Sequence, residues 1–216
     1  MRSLLQYICL VKILLVAATK KEIAPLLKSI SSMENKPYVL ITGVGMVATT
    51  FQLTKALSEK KYDAVINLGI CGSFNSSLKI GEVVNITEDI FSELGAEDGK
   101  GFLKLSDMKQ ADKKDIFLKV YKKINLPVLK KIRKVKGITV NTVHGNTKTI
   151  SNIISLYNPD VESMEGAAFF YVCNKFKTPA FSLRAVSNYV EKRNTGNWNI
   201  ALAVKNLNEE VRKILY

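Results

Sequence analysis

Histidine is almost absent from this chain: His144 is the only one among 216 residues. That scarcity weighs against metallohydrolase and Ser-His-Asp chemistry, both of which draw on imidazole as ligand or base. Cysteine is scarce too, and Cys9, Cys71 and Cys173 stand far apart with no C-x-x-C spacing. Neither a disulfide framework nor a zinc site is indicated, and a reducing cytoplasm is the expected compartment. Long apolar runs are missing beyond the N-terminus. Residues 4–11 superficially resemble a signal peptide, but Lys12 interrupts them, and 13–17 reads better as a buried strand. Residues 1–11 are expected to be an extension, and no membrane partner is expected. Acidic residues are also short, 19 against 32 Lys and Arg, which leaves a net charge of +13. The surplus is uneven: residues 109–136 hold eleven Lys and Arg against Asp112 and Asp115, so +9 of the +13 falls in 28 residues. Only Phe117 and Tyr121 are aromatic there, whereas single-strand binders interleave stacking rings with charge. The stretch reads as a solvated helix face and loop, and no nucleic-acid partner is expected.

What is present is an alternation of strand-like and helix-like runs, the pattern of an α/β domain. The spacing predicts a strand at 12–17, a helix at 20–30, a strand at 38–41 and a helix at 46–59. A strand at 64–68 then enters a glycine-bearing loop at 69–73, and another strand follows at 82–90. Residues 93–99 are acidic, turn-rich and too polar for a core position. Beyond the basic stretch come a strand at 137–143, helices at 147–157 and 164–176, a strand at 180–187 and a helix from about 196. No repeat or linker interrupts the pattern, so 12–216 reads as one domain.

Ligands of open α/β sheets lie beyond the carboxyl ends of strands. Four segments there carry chemistry: Glu22; Gly69-Ile70-Cys71-Gly72-Ser73; Met164-Glu165-Gly166; and Arg184 with Ser187-Asn188. Each also has a plain structural explanation. Thr19-x-x-Glu22 is a capping box, and Glu165, read as one turn into a helix, complements its positive end. Ser187-Asn188 suits a turn. Gly43-x-Gly45 and Gly69-x-x-Gly72 could cradle an anion, yet they lack the dinucleotide fingerprint and any G-K-[ST].

Taken together, these segments resemble the nucleoside phosphorylase and nucleosidase superfamily over nearly the whole chain from Lys12. The specific elements are Met164-Glu165 opening a helix and Arg-x-x-Ser-Asn, which starts 19 residues after that Glu. Within the superfamily, residues 93–99, 161–168 and 187–194 with Trp198 look most like the futalosine nucleosidases of the menaquinone pathway. The resemblance implies a single-domain, three-layer α/β/α nucleoside phosphorylase-like fold with a mixed central sheet. It also implies a purine nucleoside substrate and a homodimer or higher homo-oligomer. By the same resemblance, Glu22 positions and deprotonates the attacking water, and Glu165 with Met164 holds the ribose hydroxyls. Arg184 braces the site, Ser187 and Asn188 face the purine, and Ile70 and Cys71 line the pocket beside the sugar.

The chemistry is consistent with those roles. Glycosidic cleavage passes through a sugar cation, so it needs a carboxylate on the water side and hydrogen-bond donors where the leaving base gathers charge. No cofactor and no metal are required. Hydrolysis is expected rather than phosphorolysis, because the resemblance places a phosphate-binding arginine of bacterial phosphorylases where this chain has Asn67. Only Lys20 and Lys21 lie near Glu22 in sequence, and a buried dianion needs fixed cationic partners. The methylthioadenosine/S-adenosylhomocysteine nucleosidases, the alternative reading, have an Asp at the position of Asn188. An amide cannot protonate adenine but can donate to a 6-oxopurine, which favours hypoxanthine as the leaving base.

Overall fold

In a computed structural model, residues 12–99, 101–108, 111–120 and 127–216 are described. The expected extension at 1–11 lies outside them. Strand β1 (Ile13–Ala17) is apolar at every position because it lies between two parallel neighbours, β2 (Tyr38–Ile41) and β3 (Ala64–Ser73). β3 runs on through 69–73, where the sequence suggested a loop. Two further strands hold it: β10 (Ala180–Tyr189) pairs with it in parallel from Val65 to Ser73, and β9 (Val161–Ser163) pairs antiparallel with its last two residues. β4 (Val83–Phe91) runs antiparallel to β10 and parallel to β8 (Arg133–Thr139), which is parallel to β9. Strands β3, β10, β4, β8 and β9 therefore close a ring, from which β1 and β2 extend as an open wing. The central sheet is mixed.

Helices cover both faces. On one side α1 (Lys20–Ile30) is buried through Ile23, Leu26 and Ile30. On the other, α2 (Met46–Glu59) is buried through Thr49, Leu53 and Leu57. Short α3 (Lys113–Ile116) and α4 (Pro127–Lys131) and the longer α5 (Thr147–Tyr157) precede α6 (Gly166–Lys175) and α7 (Ile200–Leu215). Val65 and Cys71 of β3 join the core beneath α2 and α6, while Ile66 and Leu68 join that beneath α1 and α7. This alternation of β3 between two apolar cores makes the three layers.

Several boundaries differ from the sequence expectation. β8 starts at Arg133 rather than 137, since Val135 is buried between exposed Lys134 and Lys136 and the flanking charges mask the alternation. The basic stretch is thus in part a strand of the central sheet. It also carries α3, β7 (Phe117–Lys119), which pairs with β4, and α4; residues 109–110 and 121–126 lie outside those described. Residues 95–98 are a strand as well, β5 (Gly95–Asp98), joined to β6 (Gly101–Lys104) as a separate hairpin. A hairpin pairs backbone with backbone, which explains how so polar a segment is ordered away from the core. Among the described residues no helix is long and apolar enough to cross a membrane.

Candidate active site

Glu22 lies in the first turn of α1, and its carboxylate is divided between two tasks. Oε2 accepts from the Thr19 backbone N–H at 2.9 Å and from its hydroxyl at 3.0 Å, so the capping role is present. Oε1 instead accepts from the Ile70 N–H of β3 at 3.3 Å. Capping holds the side chain while leaving one oxygen over the sheet end. A second anchor comes from Asn208 of α7, almost fully buried, which accepts from Leu26 N–H at 2.9 Å and donates to Glu22 C=O at 2.8 Å. This buried amide ties the turn that carries Glu22 to another helix, and no sequence motif marked it.

Glu165 is the N-cap of α6 rather than a residue one turn inside it. One carboxylate oxygen accepts from Gly45 N–H at 3.1 Å, and the other lies 3.5 Å from Arg184 Nη2. Gly43 and Gly45 have φ of 86° and 93°, so the turn after β2 needs glycine to bring that N–H to Glu165. Arg184 is only 1% exposed and rests on bare Gly69, its register partner in β3. A Cβ at Gly69 would overlap Arg184 Nη1 and stand 2.9 Å from Glu22 Oε1. Arg184 and Glu22 thus both reach over Gly69, where glycine is required, and Arg184 pairs with Glu165. At 3.5 Å the Arg184–Glu165 pair is chiefly Coulombic, and burial strengthens that attraction.

Behind this cluster is Asp89 of β4, which sequence reasoning missed. It is 1% exposed, accepts from Thr139 Oγ1 at 2.8 Å and from Ile90 N–H at 2.9 Å, and Thr139 Oγ1 in turn accepts from Ala167 N–H at 2.7 Å. The chain of bonds secures the first turn of α6 next to Glu165. Burial pushes the Asp89 carboxyl up to about 7, against the Thr139 hydrogen bond and the Arg184 charge, which lower it. The available signal was an acidic pair, Glu88 and Asp89, inside the strand-like run of β4.

At the other end of the site, Glu162, Gly72 and Asn188 are register neighbours on β9, β3 and β10. A bulge at Ser187 separates Val186 from Asn188, and the Ser187 hydroxyl reaches Cys71 C=O at 3.1 Å and Asn188 Oδ1 at 2.8 Å. Asn188 Nδ2 donates to Tyr189 C=O at 2.9 Å, which leaves its second hydrogen to give. Ile70 meets Glu22 through its backbone. The Cys71 side chain lies in the core, where burial pushes the thiol up to about 12, so Cys71 faces the site through its carbonyl. Met164, half-buried, connects β9 to Glu165. Asn67 is buried inside β3, and Lys20 and Lys21 are exposed. Among the described residues no group of three His, Cys, Asp or Glu could hold a metal ion.

The family model of the phosphorylase superfamily matches residues 12–215. A futalosine hydrolase of Streptomyces coelicolor is 29% identical over 167 residues, covering 74% of this chain and 68% of that protein. An aminodeoxyfutalosine nucleosidase of Campylobacter jejuni is 26% identical over 204 residues, covering 83% and 86%. Among solved structures, a 5'-methylthioadenosine/S-adenosylhomocysteine nucleosidase of Helicobacter pylori superposes with a TM-score of 0.79 at 17% identity, over 94% of this chain and 97% of that one. That likeness shows a common fold. With a match from Lys12 to Leu215, this chain belongs to the phosphorylase superfamily.

Proposed function

We propose that this protein hydrolyses the N-glycosidic bond of futalosine, releasing hypoxanthine and dehypoxanthine futalosine for menaquinone biosynthesis. The observation that carries the reading is the meeting of Glu22 and Arg184 above Gly69, with Glu165 paired to that arginine. The curated relatives named futalosine hydrolase and aminodeoxyfutalosine nucleosidase support the substrate class. In this reading Glu22 Oε1 takes a proton from water as its oxygen attacks the anomeric carbon. Glu165 and Met164 hold the ribose hydroxyls, and Arg184 braces the site through its pair with Glu165. Positive charge developing on the sugar is met by those carboxylates, and charge on the leaving purine by Ser187 and Asn188. Asn67 inside β3 and the exposed Lys20 and Lys21 offer a phosphate dianion no buried cationic clamp.

Residues 12–216 act as one cytoplasmic domain in this proposal, assembled as a homodimer or higher homo-oligomer. The assembly is supported by the outer face of α2, where Val47 is 83% and Phe51 66% exposed. A contiguous apolar patch of that kind favours a protein partner, and a second copy would also cover the Gly45 turn that meets Glu165. Light scattering on wild type and F51E checks this, with a monomeric wild type as the contrary result. For the activity itself, futalosine, its 6-amino counterpart, methylthioadenosine and inosine are incubated in turn and the released base is identified by chromatography. Hypoxanthine from futalosine as the fastest reaction is expected; adenine from methylthioadenosine as the fastest would replace this assignment.

A further inference from the structure

His144 and Glu162 have no part in the reading above, although both lie at the base end of the site. Glu162 is 3% exposed, its Oε2 stands 2.6 Å from His144 Nδ1, and its Oε1 accepts the His144 backbone N–H at 3.0 Å. A buried carboxylate must be paired and hydrogen-bonded. An ionised Glu162 can only accept, which places a hydrogen on Nδ1 and leaves Nε2 as the free functional nitrogen of the ring. The His144 side chain is only 12% exposed, and Phe74 stands edge-on to it with ring centroids 6.1 Å apart.

Two observations bring this pair to the base side. A Cβ at Gly72 would lie 2.9 Å from Val190 Cγ2, 3.3 Å from Asn188 Nδ2 and 3.5 Å from Glu162 Cγ, so amide and carboxylate stem flank Val190 over the same glycine of β3. In addition, Arg193 N–H donates to Gly145 C=O at 3.1 Å, which ties the His144 loop to the segment following Asn188. Asn188 can stabilise a departing purine but has no proton to transfer.

We propose that His144, oriented by Glu162, is the proton donor to the leaving purine; this rests on the hydrolytic reading above. As the C1'–N9 bond breaks, its electron pair stays with the base, which takes the proton of imidazolium Nε2 on a ring nitrogen. The sugar takes the hydroxyl of water, and Glu22 takes the other proton of that water. Proton exchange with solvent then recharges His144 and discharges Glu22, so the net change is hydrolysis. The charged group bordering the ring is Glu162 from β9; Arg193, from the segment after β10, rests its guanidinium over Trp198 at 5.2 Å.

The test is a kcat/KM profile against pH for wild type, H144Q and E162Q on the purine nucleoside and on its N7-methyl form, whose base leaves without gaining a proton. H144Q is expected to lose about 10²- to 10⁴-fold on the purine nucleoside, together with the alkaline limb expected of wild type, and to lose little on the methylated substrate. E162Q, which no longer holds the ring as a carboxylate does, is expected to lose activity on the purine nucleoside and to keep most of it on the methylated one. Should H144Q fail to fold in a thermal melt, H144N carries the same comparison. Wild-type turnover in the His144 variant, equal losses on both substrates, or an unchanged alkaline limb would each overturn the proposal. Release of no base from any purine nucleoside by wild type would remove the hydrolytic reading itself, and this proposal with it.

Discussion

The two ends of the site are built from different chemistry. At the sugar end, Glu22 and Arg184 meet over Gly69, Glu165 pairs with Arg184, and the two carboxylates are held by backbone N–H groups from Thr19, Ile70 and Gly45. At the base end, the groups presented are a hydroxyl, an amide and an imidazole, with Glu162 held back behind the last. Stabilising a sugar cation calls for permanent negative charge, whereas a departing base calls for donors whose charge or hydrogens can shift toward it. Substitutions at the sugar end are therefore expected to change rate or stability, and those at the base end to change which base is released and how the rate depends on pH.

The largest effect is expected from E22Q. Glutamine also serves in a capping box, so α1 keeps its start while the base is removed. Turnover should fall by about two to four orders of magnitude with little change in the melting temperature. Near-normal turnover would reduce Glu22 to a cap. Next comes R184M, which leaves the buried Glu165 carboxylate without its cation. Breaking such a pair costs about 3–5 kcal/mol, to be read from the midpoint of urea unfolding; a midpoint equal to wild type would mean that solvent already screens the cluster.

At the base end N188D should act on preference more than on rate. An aspartate is acidic when protonated and repels the purine O6 when ionised, so the 6-oxo over 6-amino ratio of kcat/KM should move at least about tenfold toward 6-amino. An unchanged ratio would show that Asn188 does not read the base. The smallest effect is expected behind the sugar end, at Asp89. Burial keeps its proton in the folded chain up to about pH 7, whereas the unfolded carboxyl releases it near its ordinary value of about 3.9. The folded state therefore binds more protons across that window, and stability falls as pH rises from about 4 to about 7. D89N should flatten that slope in melts taken across the range, and an equal slope in both proteins would place Asp89 in a less buried setting.

Much of the sheet and most helix bounds were legible because periodicity and caps are local. α1, α2 and α5 match the expected spans residue for residue. The misses were set by distant partners. Residues 69–73 carry two glycines and read as a turn, but β10 and β9 pair with them as strand. β9 is three residues long, too short for any period to show. Within the site, Glu22, Glu165 and Arg184 could be picked from motif spacing, yet their meeting over Gly69 depends on a register no single sequence displays. Asp89 and Asn208 had no motif at all, since their roles come from burial among partners 50 and 182 residues away.

The contrast between the two ends depends most on water, not phosphate, attacking at the sugar end. The direct measurement is base release from futalosine with and without phosphate, the sugar product being followed by phosphorus NMR. The same rate in both buffers and a free sugar product are expected, since neither Asn67 nor the exposed Lys20 and Lys21 forms a buried anion clamp. A requirement for phosphate, with a sugar 1-phosphate as the main product, would contradict the assignment of Glu22 to water and of this chain to the hydrolases.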